Sequence, residues 1–204
     1  MTEEELAALL ALGHELIGIE FKAAGPTSDR QLFAQVTRAV LGMANRRDGG
    51  RVVIGVEDNG GVLTPVGLSK SDQETWRYDD VATKLAVYAD PSVSFELETQ
   101  QYNGNDYVVL YVREFEDIPV LCKKDYQGVL RKGACYVRPR RKPETIEIPT
   151  QEDMRDLVDL ATEKRLRRHL EQTRRAGGIV VPIQPGLLPP SDQELFDKQL
   201  GDLR

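Results

Sequence analysis

Residues 51–56 read Arg-Val-Val-Ile-Gly-Val, a nearly continuous apolar run of strand length. Its β-branched content and lack of alternation predict a central strand buried on both faces, which needs other layers to cover it. The preceding stretch supplies one. From Arg30 to Asn45, Leu32, Phe33, Val36, Val40, Leu41 and Met43 recur every three or four residues, the spacing of an amphipathic helix. Gly25-Pro26-Thr27-Ser28-Asp29 breaks the chain before that helix, with Ser28 or Asp29 as cap, and Arg46 to Gly50 ends it. Upstream, Glu3 to Leu12 predicts a short helix capped by Thr2, and Ile17 to Lys22 a strand.

Glu57 to Gly61 reads as a turn, and Val62 to Val66 as the returning arm of a hairpin ended by Pro65. A helix is expected over Tyr78 to Ala89, stopped by Asp90-Pro91. The period then changes to two: Val93, Phe95, Leu97 and Thr99, and later Tyr107, Val109 and Tyr111, flank the turn Asn103-Gly104-Asn105-Asp106. Short strands are expected at Val120 to Cys122 and Ala134 to Arg138. A long helix follows from Gln151 to Arg174, opened by Thr150 with Asp153 three residues on. The expected domain ends near Ala176, leaving a Pro-rich tail over residues 177–204 with a short helix starting at Ser191.

Composition narrows the function classes. The 204 residues hold 40% hydrophobic and 29% charged side chains, enough for one sizeable core, and no apolar run reaches the roughly 18 to 20 residues of a membrane span. The first residues, Met1 to Glu5, are acidic rather than basic, so neither membrane insertion nor export is expected and a reducing cytoplasm is the default. Cys122 and Cys135 form no CxxC pair, and His14 and His169 are isolated, so no disulfide framework and no zinc site is expected. The net charge of −6 hides a strong segregation. Lys123, Lys124, Arg131, Lys132, Arg138, Arg140, Arg141 and Lys142 face a single acid, Asp125, within Cys122 to Lys142; that window carries +7 and leaves −13 for the rest. Such separation predicts a surface that faces a polyanion, although a solvated basic loop and strand edge has the same composition.

Three acids stand apart from solvated helix faces. Glu20 lies inside an apolar alternation, where an unpaired carboxylate is costly and must reach a cleft or a partner. Asp58 follows the apolar run at a strand end, and Glu15 lies beside the first strand. Converging, the three would suit Mg²⁺ or Mn²⁺ and metal-assisted phosphodiester hydrolysis; separately they are a turn former, a solvated helix-end residue and a paired acid.

A family resemblance bears on that choice. Glu15, Glu20, Phe21 and Lys22, then Ala44-Asn45 and Gly49-Gly50, then Ile54-Gly55-Val56-Glu57-Asp58 with Gly60-Gly61, and finally Tyr136-Val137-Arg138, resemble in order and spacing the Schlafen AlbA-like domain over roughly residues 13–160. The resemblance implies an α+β fold, a mixed or antiparallel β-sheet flanked by helices, here with a long C-terminal helix and a Pro-rich tail. It also implies nucleic-acid binding, with RNA favoured over DNA. In its ribonuclease-active members a three-carboxylate, metal-dependent site cuts structured RNA such as transfer RNA. Carried over, the catalytic and metal-binding acids fall on Glu15, Glu20 and Asp58, and a phosphate-holding lysine on Lys22, whose alternative role is a salt bridge near Glu20.

Where members of the family often continue with a small residue and Gly-Ser, this chain has Pro139-Arg140-Arg141-Lys142, which shifts the expectation to direct phosphate contacts from Arg138, Arg140 and Arg141. Larger relatives join two lobes into a cradle, and a homodimer of this chain would rebuild one by symmetry. A non-catalytic DNA- or RNA-binding module is the rival reading. ATP binding is disfavoured because no GxxxxGK[ST] pattern is present. Tyr126 and Tyr136 are candidates either to stack on bases or to complete a half-buried sheet face.

Overall fold

The computed structural model describes residues 3–11, 16–139, 141 and 143–177. They fall into two units, Met1–Lys164 and Arg165–Arg204. The first holds a four-stranded sheet in the order β1 (Ile19–Lys22), β2 (Gly50–Ile54), β7 (Asn105–Val112), β6 (Phe95–Tyr102). β1 runs parallel to β2, with Glu20 opposite Val52, and the other pairings are antiparallel. The α+β architecture with a mixed sheet, flanking helices and a long C-terminal helix therefore stands. Strand alternation divides the sheet into two faces. Val52, Ile54, Val108 and Leu110 pack into the larger core with α2 (Arg30–Ala44), whereas Val53, Val109, Ile19 and Phe21 pack with Leu6 and Leu10 of α1 (Glu3–Ala11). Because Ile19 and Phe21 point toward α1, Glu20 and Lys22 point toward α2, from a strand at the sheet edge.

α2 forms as its period predicts, and Asp29 caps it by accepting the N–H groups of Gln31 at 2.9 Å and Leu32 at 3.0 Å. The apolar run does not stay in one strand. β2 ends at Ile54, and Val56–Asp58 (β3) leaves the main sheet to pair with Leu63–Pro65 (β4). Gly55 is the pivot: its φ is 114°, and a Cβ there would lie 2.9 Å from the Tyr107 ring. Its N–H donates to Lys22 O, and its own carbonyl accepts Val66 and Gly67. The fourth helix, α4 (Tyr78–Ala86), which follows the one-turn α3 (Lys70–Gln73), stops short of its expected end. Ala89–Asp90 (β5) instead pairs with Leu121–Cys122 (β8), a long-range pairing that local propensity does not signal.

Two further strands, Tyr136–Val137 (β9) and Ile146–Glu147 (β10), pair antiparallel, so Arg138 and Thr145 face each other just beyond the last paired residues. Asn45, at the end of α2, fixes this hairpin from beneath. Its amide donates to Val120 O at 2.8 Å and Tyr136 O at 2.9 Å and accepts the Val120 N–H at 2.7 Å. The fifth helix, α5 (Gln151–Arg175), begins where expected, with the Thr150 hydroxyl accepting the Asp153 N–H. Its residues from Arg165 on belong to the second unit, where Thr173 Oγ1 donates to His169 O. The expected Pro-rich tail and last helix lie outside the described residues, and no described helix is long and apolar enough to cross a membrane.

Candidate nucleic-acid interface

The β1 edge, α2, the β3–β4 hairpin and the β9–β10 hairpin enclose a cleft of about 640 Å³. Glu20, Lys22 and Asp58 all line it, together with Gln31, Gln35 and Arg38 of α2 and Thr145. Two of the three expected acids thus reach one cleft. Glu15, the third, lies outside the described residues.

Glu20 is 7% exposed, and both its oxygens are engaged. Oε1 accepts Lys22 Nζ at 2.5 Å; Oε2 accepts Arg138 Nη1 at 2.5 Å and the Thr145 hydroxyl at 2.6 Å. Arg138 is buried more deeply still, its side chain 0% exposed. It donates to the carbonyls of Leu16, Ile17, Ile19 and Pro143 at 2.8 to 3.0 Å. One guanidinium therefore ties the β9–β10 hairpin to the entrance of β1 through a charge-assisted network. The attraction within a buried ion pair works against the cost of desolvating both ions, and removing one partner strands the other. Gly42 makes the seat: a Cβ on it would lie 2.5 Å from Thr145 Cγ2.

Asp58 is exposed, and its Oδ1 accepts the Gly61 N–H at 2.6 Å, which closes the β3–β4 turn. Among the described residues no group of three His, Cys, Asp or Glu is arranged to hold a metal ion. Glu20, moreover, already carries two cationic partners. The described carboxylates do not by themselves fit a divalent cation; a complete ligand set would need Glu15 as well.

The basic window divides three ways. Lys123, Lys124 and Lys132 are exposed on the turn between Cys122 and Ala134, whose backbone is closed by Cys122 N–H to Ala134 O at 2.9 Å and Gly133 N–H to Cys122 O at 2.6 Å. None of these lysines forms an ion pair among the described residues; Lys124 Nζ lies 5.9 Å from the centre of the Tyr88 ring. Arg131 and Arg141 are exposed but carboxylate-bound, Arg131 bidentately to Glu147 and Arg141 to Glu152. Arg138 faces inward, and this inward network stands where sequence reasoning expected a surface phosphate contact. Arg140 and Lys142 lie outside the described residues. Tyr136 is buried at 2%, with its hydroxyl accepting the Arg131 N–H, so it completes the core and does not present its ring to a base.

Sequence reasoning missed Gln31, Gln35, Arg38, Gly42 and Thr145. The first three recur at i, i+4 and i+7 on one face of α2, and that spacing is a usable signal. Arg38, half-buried, interrupts an otherwise apolar stretch of the helix. Its Nε is buried without a hydrogen-bond partner, and burial of an unmet donor typically costs about 1 to 3 kcal/mol.

Several known proteins are similar to this chain. The family model described as Schlafen, AlbA_2 matches residues 15–147. No curated protein matches the sequence. Among solved structures, the DIP2311 protein from Corynebacterium diphtheriae is 15% identical, with 71% of this chain and 26% of that one covered and a TM-score of 0.48. The N-terminal domain of a RecG-related protein from Nitrosomonas europaea is 24% identical, with 65% and 88% covered and a TM-score of 0.47. The present chain thus spans about a quarter of the length of the first. With the family model covering well over half of its residues, this chain belongs to the Schlafen AlbA_2 family.

Proposed function

We propose that this domain binds nucleic acid, RNA in preference to DNA, through the cleft beside β1 and the neighbouring Cys122–Ala134 turn. The single observation that carries this reading is the trio Lys123, Lys124 and Lys132, exposed on one turn with none of their ammonium groups in an ion pair among the described residues, in a chain that carries a net negative charge; the one acid of that turn, Asp125, accepts the Lys132 backbone N–H. Cations left open to solvent in this way are suited to replace the counterions of a phosphate backbone. Membership of the Schlafen AlbA_2 family supports the same reading. The test is fluorescence anisotropy with end-labelled transfer RNA, single-stranded RNA and single-stranded DNA across a salt series. Salt-dependent binding that weakens when all three lysines become glutamine is the expected result; binding unchanged by the triple substitution refutes this interface.

A second reading, metal-dependent endoribonuclease activity with Glu15, Glu20 and Asp58 as ligands of Mg²⁺ or Mn²⁺, is favoured by the shared cleft of Glu20, Asp58 and Lys22. A bound cation would supply an activated water and neutralise developing charge on phosphate. Cleavage of transfer RNA in Mn²⁺ or Mg²⁺ but not in EDTA, lost in Asp58→Asn, supports it; no cleavage by a protein that binds RNA leaves the binding module. A homodimer would present two such clefts, and sedimentation equilibrium with and without RNA decides that point.

A further inference from the structure

We infer that Arg38 is a phosphate-anchoring residue, its guanidinium fork gripping an oxyanion of the nucleic-acid backbone where two cavities of the domain meet. The inference rests on the nucleic-acid reading above and adds to it a residue outside the basic window. Arg38 lines both the cleft that contains Glu20 and Lys22 and a neighbouring cavity of about 400 Å³ lined by Asp125, Gly128, Val129 and Arg131. Gly128 and Val129 are likewise shared by the two, so Arg38 stands between the β1 cleft and the turn that bears the exposed lysines.

The other cations here are already held. Lys22 is bound to Glu20, Arg138 to Glu20 and four carbonyls, and Arg131 to Glu147. Arg38 has no hydrogen bond or ion pair among the described residues, and its Nε is buried. Its Cζ lies 5.6 Å from the centre of the Tyr136 ring. Such a contact places the cation against the ring of buried Tyr136 and uses none of its N–H groups in a hydrogen bond. The terminal N–H groups of a guanidinium form a planar fork that matches two oxygens of a phosphate. Glu20, Asp58 and Glu144 also line the cleft, so the attraction is the local, directed one of a fork rather than a broad positive field. Gln35 and Gln31, one and two turns earlier on α2, add neutral donors along the same wall.

Arg38→Gln and Arg38→Lys are compared with wild type by anisotropy of an end-labelled single-stranded RNA oligonucleotide, and by phosphorus NMR line broadening of inorganic phosphate. Arg38→Gln is expected to weaken RNA binding about tenfold. It should also flatten the slope of log affinity against log salt by about 0.7, one phosphate contact on a single strand. Arg38→Lys keeps the charge, and so the slope, but loses the fork and a few-fold in affinity; it carries the comparison if the glutamine variant melts early. Phosphate broadening by wild type and not by Arg38→Gln, with no RNA bound by either, removes the nucleic-acid reading and supports the anchor. RNA binding of unchanged affinity and slope in Arg38→Gln overturns the anchor while the nucleic-acid reading stands.

Discussion

Replacing Glu20 with glutamine isolates the charge at the centre of the β1 cleft. The amide has nearly the same volume, so no cavity opens; what disappears is the negative charge facing Arg138, whose side chain is fully shielded from solvent. Arg138 keeps its bonds to the carbonyls of Leu16, Ile17, Ile19 and Pro143, which hold the cation in place without neutralising it. Breaking a buried pair from one side typically costs about 3 to 5 kcal/mol, and the retained carbonyls put this case near the lower end, about 3 kcal/mol. For a domain of this size, that corresponds to a fall in melting temperature of roughly 6 to 12 °C. Lys22, on the cleft side, is more accessible and rehydrates at little cost. Circular dichroism melts of wild type, Glu20→Gln, Arg138→Met and the double variant measure both the loss and the coupling. The double variant should be less destabilised than the sum of the singles. A Glu20→Gln melt within about 2 °C of wild type would refute the network as a structural element. The result also governs catalytic tests: activity lost in a Glu20 variant is interpretable only below its lowered melting point, whereas exposed Asp58, with its one turn-closing bond, is the cleaner probe.

Further expectations rest on separate observations. Gly42→Ala should destabilise the domain by about 1 to 3 kcal/mol despite alanine's better helix propensity, because its Cβ would meet Thr145 at 2.5 Å; a more stable variant in urea denaturation would show that Thr145 is not seated there. Burial pushes the Cys135 thiol up to about 11, so it should resist iodoacetamide in the native protein and react once urea exposes it; fast native alkylation contradicts that burial. Burial alone would raise the Glu114 carboxyl, but the hydrogen bond from Lys164, the Asp48 N–H and the charges of Lys164 and Arg47 outweigh it and hold the group below its ordinary 4.5. Its contribution to stability is therefore complete above the ordinary carboxylate range and lost as pH falls through the lowered value. Glu114→Gln should accordingly be less stable than wild type at neutral pH, with the gap in urea midpoint closing in acid; a gap independent of pH would contradict the pairing.

The elements that follow a local period were legible from the residues alone. The α2 stripe, its Asp29 cap, the β6–β7 hairpin around Asn103-Gly104 and the Thr150 start of α5 are each dictated by residues within a few positions of one another. The acidic residues drawn to the cleft, Glu20 and Asp58, were legible too, because a carboxylate in an apolar alternation or at a strand end is conspicuous. Charge assignment was not. Arg138 belongs to a basic run by composition, yet it is buried because Glu20, 118 residues away, and the carbonyls flanking β1 lie opposite it in the folded chain. Arg38 reads as one polar position on an apolar helix, and only the fold sets it against the Tyr136 ring and at the junction of two cavities. Sequence fixes which side chains carry charge and where the chain turns locally. Which charges are neutralised and which stay available depends on contacts between distant segments, because the cost of burying an ion is set by the partner the fold brings to it.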